Sequence, residues 1–260
     1  MIVDCHTHIN CPASNVGPSE HWAAMETVDV SIVLAPAAES SQQVNKELSD
    51  YVGSHREKLV GFAFINPVQD DVTVKNVKLL TEKLDLKGVV LYCSSCGFHP
   101  AHSRAMQFYE SAAELNLPIF FHNAGKLAPD AVFDYAQPFL LDEIARTFPG
   151  LKMVIGTMGM PFFEQTLSMV AKHENVYADL TIYPDRVWSV YNTVVAAHEQ
   201  GVMNKLLFGS GFPHGRATEC IETLLGFNKL LADTDLPSVP RSDIKDIIER
   251  NTLKTLGIQM

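Results

Sequence analysis

The chain has 260 residues, 47% hydrophobic and 19% charged, and its 30 acidic against 20 basic side chains give a formal net charge of −10. So much apolar material at so little charge excludes global disorder. The acidic balance excludes the Lys/Arg-rich surface that sequence-independent nucleic-acid binding needs.

No apolar run approaches the roughly 18 residues of a membrane span, and no basic-then-apolar leader is visible. Five cysteines, an odd number, do not read as a disulfide framework. The expectation is a cytoplasmic protein with no membrane partner.

Short β-branched or apolar runs alternate with longer helical patterns along the whole chain. The expected strands are Ile2–Cys5, Val30–Leu34, Leu59–Ile65, Gly88–Leu91, Pro118–Phe121, Met153–Gly156, Val176–Asp179 and Lys205–Gly209. Most are continuous apolar runs, as for parallel strands buried on both faces. Helical spacing is expected over Ser40–His55, Val72–Leu84, Ser103–Leu115, Asp142–Phe148, Phe162–Lys172, Asp185–Gln200, Glu219–Leu231 and Ser242–Leu256. With no linker to divide the chain, residues 1–260 read as one α/β domain. Parallel strands joined by right-handed crossovers close into a single (β/α)8 TIM barrel. An open doubly wound sheet is the other solution, but it would carry a Gly-rich turn after an early strand.

The first strand leads instead into Asp4-Cys-His-Thr-His8. Asp4, His6 and His8 alternate, so an extended backbone points all three to one side. Two imidazoles at the C-terminal end of a barrel strand suit zinc or a neighbouring divalent ion. Asp4 is placed to steady one of them. His122 ends the fifth strand and completes a possible set of three histidines, enough for a catalytic zinc with one open position.

Seven stretches resemble the second amidohydrolase family, the metal-dependent barrel hydrolases and decarboxylases that include aminocarboxymuconate-semialdehyde decarboxylases. They are Ile2-Val-Asp-Cys-His-Thr-His8, Leu86-Lys-Gly-Val-Val-Leu91, Ala113–Gly125, Phe148–Ile155, Asn175–Thr181, Leu207–Pro213 and Ile247–Gly257. The resemblance implies a barrel with a divalent metal, usually zinc, and puts His6, His8 and His122 at metal-ligand positions. It implies a small carbonyl-containing substrate, cleavage by hydrolysis or decarboxylation, and assembly into dimers or larger homo-oligomers.

Two positions depart from the family pattern. The chain has Thr157 in Thr-Met-Gly-Met-Pro161 where the family has a histidine. It has Gly211 in Gly-Ser-Gly-Phe-Pro213 where the family has an aspartate that ligates metal and serves as base. Threonine does not titrate near neutrality, and glycine has no side chain. Asp179, His214 and Glu164 are the nearest replacements, with Thr157 itself the weak candidate at its position. A catalytically inactive barrel that binds a small molecule or a protein is the alternative reading.

Cys93-Ser-Ser-Cys96-Gly-Phe-His99-Pro-Ala-His102 carries four metal-binding side chains. Its short spacing favours a loop of free thiols and imidazoles over a second zinc site, and Cys93 or Cys96 could also replace a missing ligand. Arg104, Lys126, Arg186 and Arg216 are candidates to clamp a substrate carboxylate. Phe98, Phe162, Trp188 and Phe212 are candidate pocket walls.

Overall fold

The computed structural model describes residues 1–10, 16–122 and 128–260. Eight parallel strands run in sequence order: β1 Val3–Thr7, β2 Val30–Leu34, β3 Leu59–Phe64, β4 Gly88–Leu91, β5 Ile119–Phe121, β6 Met153–Ile155, β7 Val176–Thr181 and β8 Leu206–Gly209. Around them lie α1 Pro18–Ala24, α2 Ser41–Gly53, α3 Val74–Glu82, α4 Ser103–Glu114, α5 Asp142–Thr147, α6 Phe163–Lys172, α7 Val187–Glu199, α8 Ala217–Leu225, α9 Arg241–Ile248 and α10 Thr252–Leu256. This is the (β/α)8 barrel that the alternation of runs predicts. Almost every strand residue is buried, which explains why the strands read as unbroken apolar letters rather than alternating ones.

The seam of the barrel joins β1 to the end of β8. Gly211 N–H donates to the His6 carbonyl and His8 N–H to the Phe212 carbonyl, both at 2.9 Å. The Asp4 carboxylate accepts from Ser210 N–H at 2.9 Å and from His6 N–H at 3.2 Å. Closure of the barrel is therefore made by the same backbone that carries the first two histidines.

Most bounds shift by a residue or two from the sequence expectation, and four differences are structural. β1 and β7 each run two residues further, to Thr7 and Thr181, because hydrogen-bonding side chains there are buried against other polar groups. Glu219–Leu231 divides at Gly226 into α8 and a 3-10 turn. Ser242–Leu256 divides into α9 and α10 because the Asn251 side chain accepts from Lys254 N–H and starts a new helix. The short α1, opened by Pro18 in its first turn, has too few residues to show a period.

Behind β1, His21 on α1 is fully buried. Its Nδ1 lies 2.8 Å from the Tyr51 hydroxyl and its Nε2 2.9 Å from Thr7 Oγ1. Burial pushes its pKa down from 6.5 to about 4. Because the folded value lies below the unfolded one, this neutral ring supports the fold fully above pH 6.5. That support is lost as the pH falls from 6.5 through 4. The full effect is about 3 kcal/mol. Urea titrations of the metal-free protein and of His21→Gln should show the wild-type advantage shrinking by that order across this window. An advantage independent of pH would contradict the assignment.

Candidate metal centre

His6 in β1, His8 just beyond it and His122 at the end of β5 converge on one point. His8 Nε2 lies 3.1 Å from His6 Nε2 and 3.2 Å from His122 Nε2. Among the described residues these three form the one group of three or more His, Cys, Asp or Glu side chains whose ligand atoms all lie within 4.8 Å of one another. Four nitrogens around a tetrahedral ion with bonds near 2.0–2.1 Å stand about 3.3 Å apart, so the spacing suits such an ion.

The far sides of the rings settle which nitrogens face inward as lone pairs. His8 Nδ1 lies 3.0 Å from the Leu34 carbonyl, which can only accept. His6 Nδ1 lies 2.6 Å from Asp179 Oδ2 and 2.9 Å from Thr181 Oγ1. With both Nδ1 atoms bearing hydrogen, a neutral His6 and a neutral His8 aim bare Nε2 lone pairs at each other. Lone pairs at hydrogen-bond distance repel unless a cation lies between them. A proton is a poor candidate: burial first, and the neighbouring imidazoles next, push His8 down to about 3 and His122 well below its ordinary value. The donor set is one that fits a divalent metal. His122 is partly exposed while His6 and His8 are buried, so the open side of the set faces the barrel mouth.

Asp179 anchors this arrangement from β7. Its Oδ2 accepts from Thr157 N–H at 2.9 Å and Thr181 Oγ1–H at 2.5 Å, besides facing His6. A carboxylate that orients an imidazole fixes its tautomer and raises its basicity. Glycine makes room for it, since a Cβ on Gly209 would fall 2.2 Å from Asp179 Oδ1. Sequence reasoning offered Asp4 as the orienting carboxylate. Asp4 instead ties the backbones of β1 and β8 together, and burial raises its pKa to about 6. Alternation within β1 could find Asp4 but not a partner on β7. The strand-end Asp-Leu-Thr of β7 was the available signal for Asp179 and Thr181.

The remaining candidates sort by position. His214 follows β8 and is exposed at the C-terminal end of the barrel, with its ring centre 6.4 Å from that of Tyr183. Glu164 is exposed in the first turn of α6, where an acid suits the helix dipole. Thr157 and Met158 adopt left-handed backbone, at φ 50° and 52°. Thr157 N–H holds Asp179, and its buried Oγ1 has no partner.

His99 Nδ1 accepts from Ala101 N–H and His102 Nδ1 caps α4 by accepting from Arg104 N–H. Cys93 is a buried thiol that burial pushes up, and burial raises Cys96 to about 11. The Cys93–His102 segment is thus a loop with local hydrogen bonds, and neither cysteine joins the histidine group. Arg104 is spent on the Pro67 and Asp70 carbonyls. Arg216 is exposed at the start of α8, and Lys126 lies outside the described residues. Phe98 and Phe212 are buried, Phe162 meets Phe133, and Trp188 stacks on Tyr191 at the surface.

The amidohydrolase family model Amidohydro_2 matches residues 3–258. The chain belongs to this amidohydrolase family. No protein of curated function matches the chain by sequence. Among solved structures, it is similar to a probable 2-pyrone-4,6-dicarboxylic acid hydrolase from Acinetobacter baumannii with citric acid bound, at 14% identity, 99% coverage of both chains and TM-score 0.69. It is similar to 5-carboxyvanillate decarboxylase from Novosphingobium aromaticivorans complexed with manganese and a nitrobenzoic acid, at 12% identity, 99% coverage of this chain, 96% of that one and TM-score 0.71. It is also similar to 2,6-dihydroxybenzoate decarboxylase from Rhizobium, at 14% identity, 98% coverage of both and TM-score 0.68. At these identities the likeness establishes the barrel fold and leaves the chemistry to the residues. No described helix is long and apolar enough to cross a membrane.

Proposed function

We propose that this amidohydrolase-family chain is a metal-dependent enzyme of the hydrolase or decarboxylase type, acting on a small carbonyl-containing substrate. The observation that carries the reading is the convergence of three Nε2 atoms, two with their Nδ1 atoms held by acceptors. His6, His8 and His122 would hold the ion. Zinc suits three imidazoles with an open position, and manganese is present in the N. aromaticivorans decarboxylase. A divalent ion there supplies Lewis acidity toward a carbonyl oxygen or water.

The chain's own residues set the rest. Asp179 and Leu34 O hold the Nδ1 sides of the two β1 imidazoles and so fix their orientation. The three donors on Asp179 Oδ2 favour an orienting role for this carboxylate over that of the base that Gly211 lacks. Asp4 is likewise engaged by two backbone N–H groups. His214, which follows β8 at the C-terminal end of the barrel, is our candidate for moving the proton between substrate and solvent.

The test is turnover by metal-loaded protein on small lactones, amides and hydroxylated aromatic acids, read as proton or carbon dioxide release. Activity should fall by at least about 100-fold in His214→Ala, in the range for a lost acid–base group, and vanish in His122→Ala. The alternative of a silent barrel is favoured by Thr157 and Gly211 standing where the family's histidine and aspartate would be. Loaded protein that turns over none of these classes would support it and overturn ours.

A further inference from the structure

Where His21 packs behind β1, the first two strands fall out of step. Asp4 pairs with Ser31 and Thr7 with Val33, so β1 has one residue more than β2 between the two pairs, the mark of a β-bulge. The bulge falls beside the metal centre, since His6 and His8 flank Thr7. We propose that His21 is a positioning residue for the three-histidine centre, fixing the bulge through Thr7 so that the His6 and His8 rings meet, a role that rests on the metal assignment above.

The hydrogens along the contact can be placed. Thr7 Oγ1 lies 2.8 Å from the Ile32 carbonyl, which only accepts, so the hydroxyl donates there. That leaves Thr7 with lone pairs for its other neighbours. His21 Nε2, 2.9 Å away, therefore carries the hydrogen and donates to Thr7, as does Ser31 Oγ–H at 3.0 Å. His21 Nδ1 is then bare and accepts from the Tyr51 hydroxyl at 2.8 Å. The result is one directed chain, from Tyr51 on α2 through His21 on α1 and Thr7 on β1 to the backbone of β2. His21, Thr7 and Ser31 are all buried, so a missing member leaves the next without a partner.

Direction is what this chain adds to packing. Apolar contacts are non-directional and tolerate a slip of one residue, whereas a hydrogen bond does not. A fully satisfied polar network selects one setting of the bulge. The same register places the Leu34 carbonyl, two residues beyond Ile32, at 3.0 Å from His8 Nδ1. A slip of β1 would remove that acceptor and free the ring whose Nε2 now lies 3.1 Å from His6 Nε2. On the other side of β1, the His21 ring meets the Phe212 ring edge-on, with centres 5.3 Å apart. The Phe212 carbonyl accepts from His8 N–H. His21 thus bears on His8 from both sides of the strand.

The experiment compares wild type with His21→Leu, His21→Gln, Thr7→Val and the His21→Leu, Thr7→Val double variant. Leucine removes both ring nitrogens, whereas glutamine keeps an N–H for Thr7. Chelator competition should show zinc held about tenfold more weakly by His21→Leu and by Thr7→Val, the lower end for a lost outer partner of a metal ligand. The double variant should lose no more than either single one, because both break the same link. His21→Gln should bind nearly as wild type does. Cobalt-loaded His21→Leu should show shifted ligand-field bands at saturation, which lost stability alone does not produce. Val77→Ala, a core truncation on α3, supplies a stability loss with neither the shift nor weaker binding. In metal-free protein, NMR should find the His8 Nδ1 hydrogen exchanging at least about tenfold faster in His21→Leu than in wild type. Wild type that holds no ion, with this acceleration present, would overturn the metal assignment and leave the positioning role standing. Unchanged exchange in His21→Leu, unchanged affinity where wild type binds metal, losses that add in the double variant, or an equal loss in Val77→Ala would each overturn the proposal.

Discussion

Replacing Asp179 by alanine should weaken metal binding by about ten- to a hundredfold and destabilise the metal-free fold by about 3–5 kcal/mol. Both effects come from one carboxylate. The side chain is fully buried, and its Oδ2 faces His6 Nδ1, Thr157 N–H and Thr181 Oγ1–H. Removal leaves Thr157 N–H and Thr181 Oγ1–H without their acceptor in a buried site and leaves His6 Nδ1 only the Thr181 hydroxyl. It also frees the His6 ring, so that its Nε2 is no longer fixed toward the other two histidines. Chelator competition measures the affinity and urea titration the stability. Asp179→Asn should fall between, since an amide can accept from some of these groups while its NH2 opposes a donor. Unchanged metal affinity in a folded Asp179→Ala would show that His6 needs no orienting partner.

Supplying the family's aspartate through Gly211→Asp should damage the site, with a stability loss of about 1–3 kcal/mol from backbone strain alone. Gly211 sits at φ 63°. Aspartate tolerates this conformation better than most residues, but its Cβ would lie 2.6 Å from Thr181 Cγ2. Thr181 is the residue whose hydroxyl contacts both His6 and Asp179. A shift of Thr181 therefore loosens the imidazole that the new carboxylate is meant to assist. Adding Thr157→His should not rescue it, because position 157 is itself left-handed and buried. Thermal unfolding and chelator competition on Gly211→Asp and Gly211→Ala separate strain from charge: both should lose stability, and neither should gain metal affinity. A variant as stable as wild type that binds metal more tightly would contradict this.

The strands and the histidines were legible because each has a local signature. Buried parallel strands read as apolar runs, and His6 and His8 share a face by alternation alone. His122 could be placed by its position at the end of a strand. What could not be read were contacts made across the barrel. Asp179 lies 173 positions from His6 and reaches it only because β7, β8 and β1 are neighbours around the closed sheet. The role of Thr157 was hidden for a different reason. Its chemistry comes from a left-handed turn, and neither threonine nor methionine signals one. The Cys93–His102 segment shows the opposite error of emphasis: four ligand-type residues in ten positions proved to be a loop with its own hydrogen bonds.

One measurement bears on the account more directly than any other. Protein prepared without a metal-binding tag is stripped with chelator, reloaded with zinc, manganese or cobalt, and analysed for bound metal per chain. The account predicts one divalent ion per chain, and for cobalt an absorption spectrum of nitrogen ligation, with both lost in the His6→Ala, His8→Ala double variant. Folded wild-type protein that retains no ion after reloading, or a double variant that binds as wild type does, would contradict it.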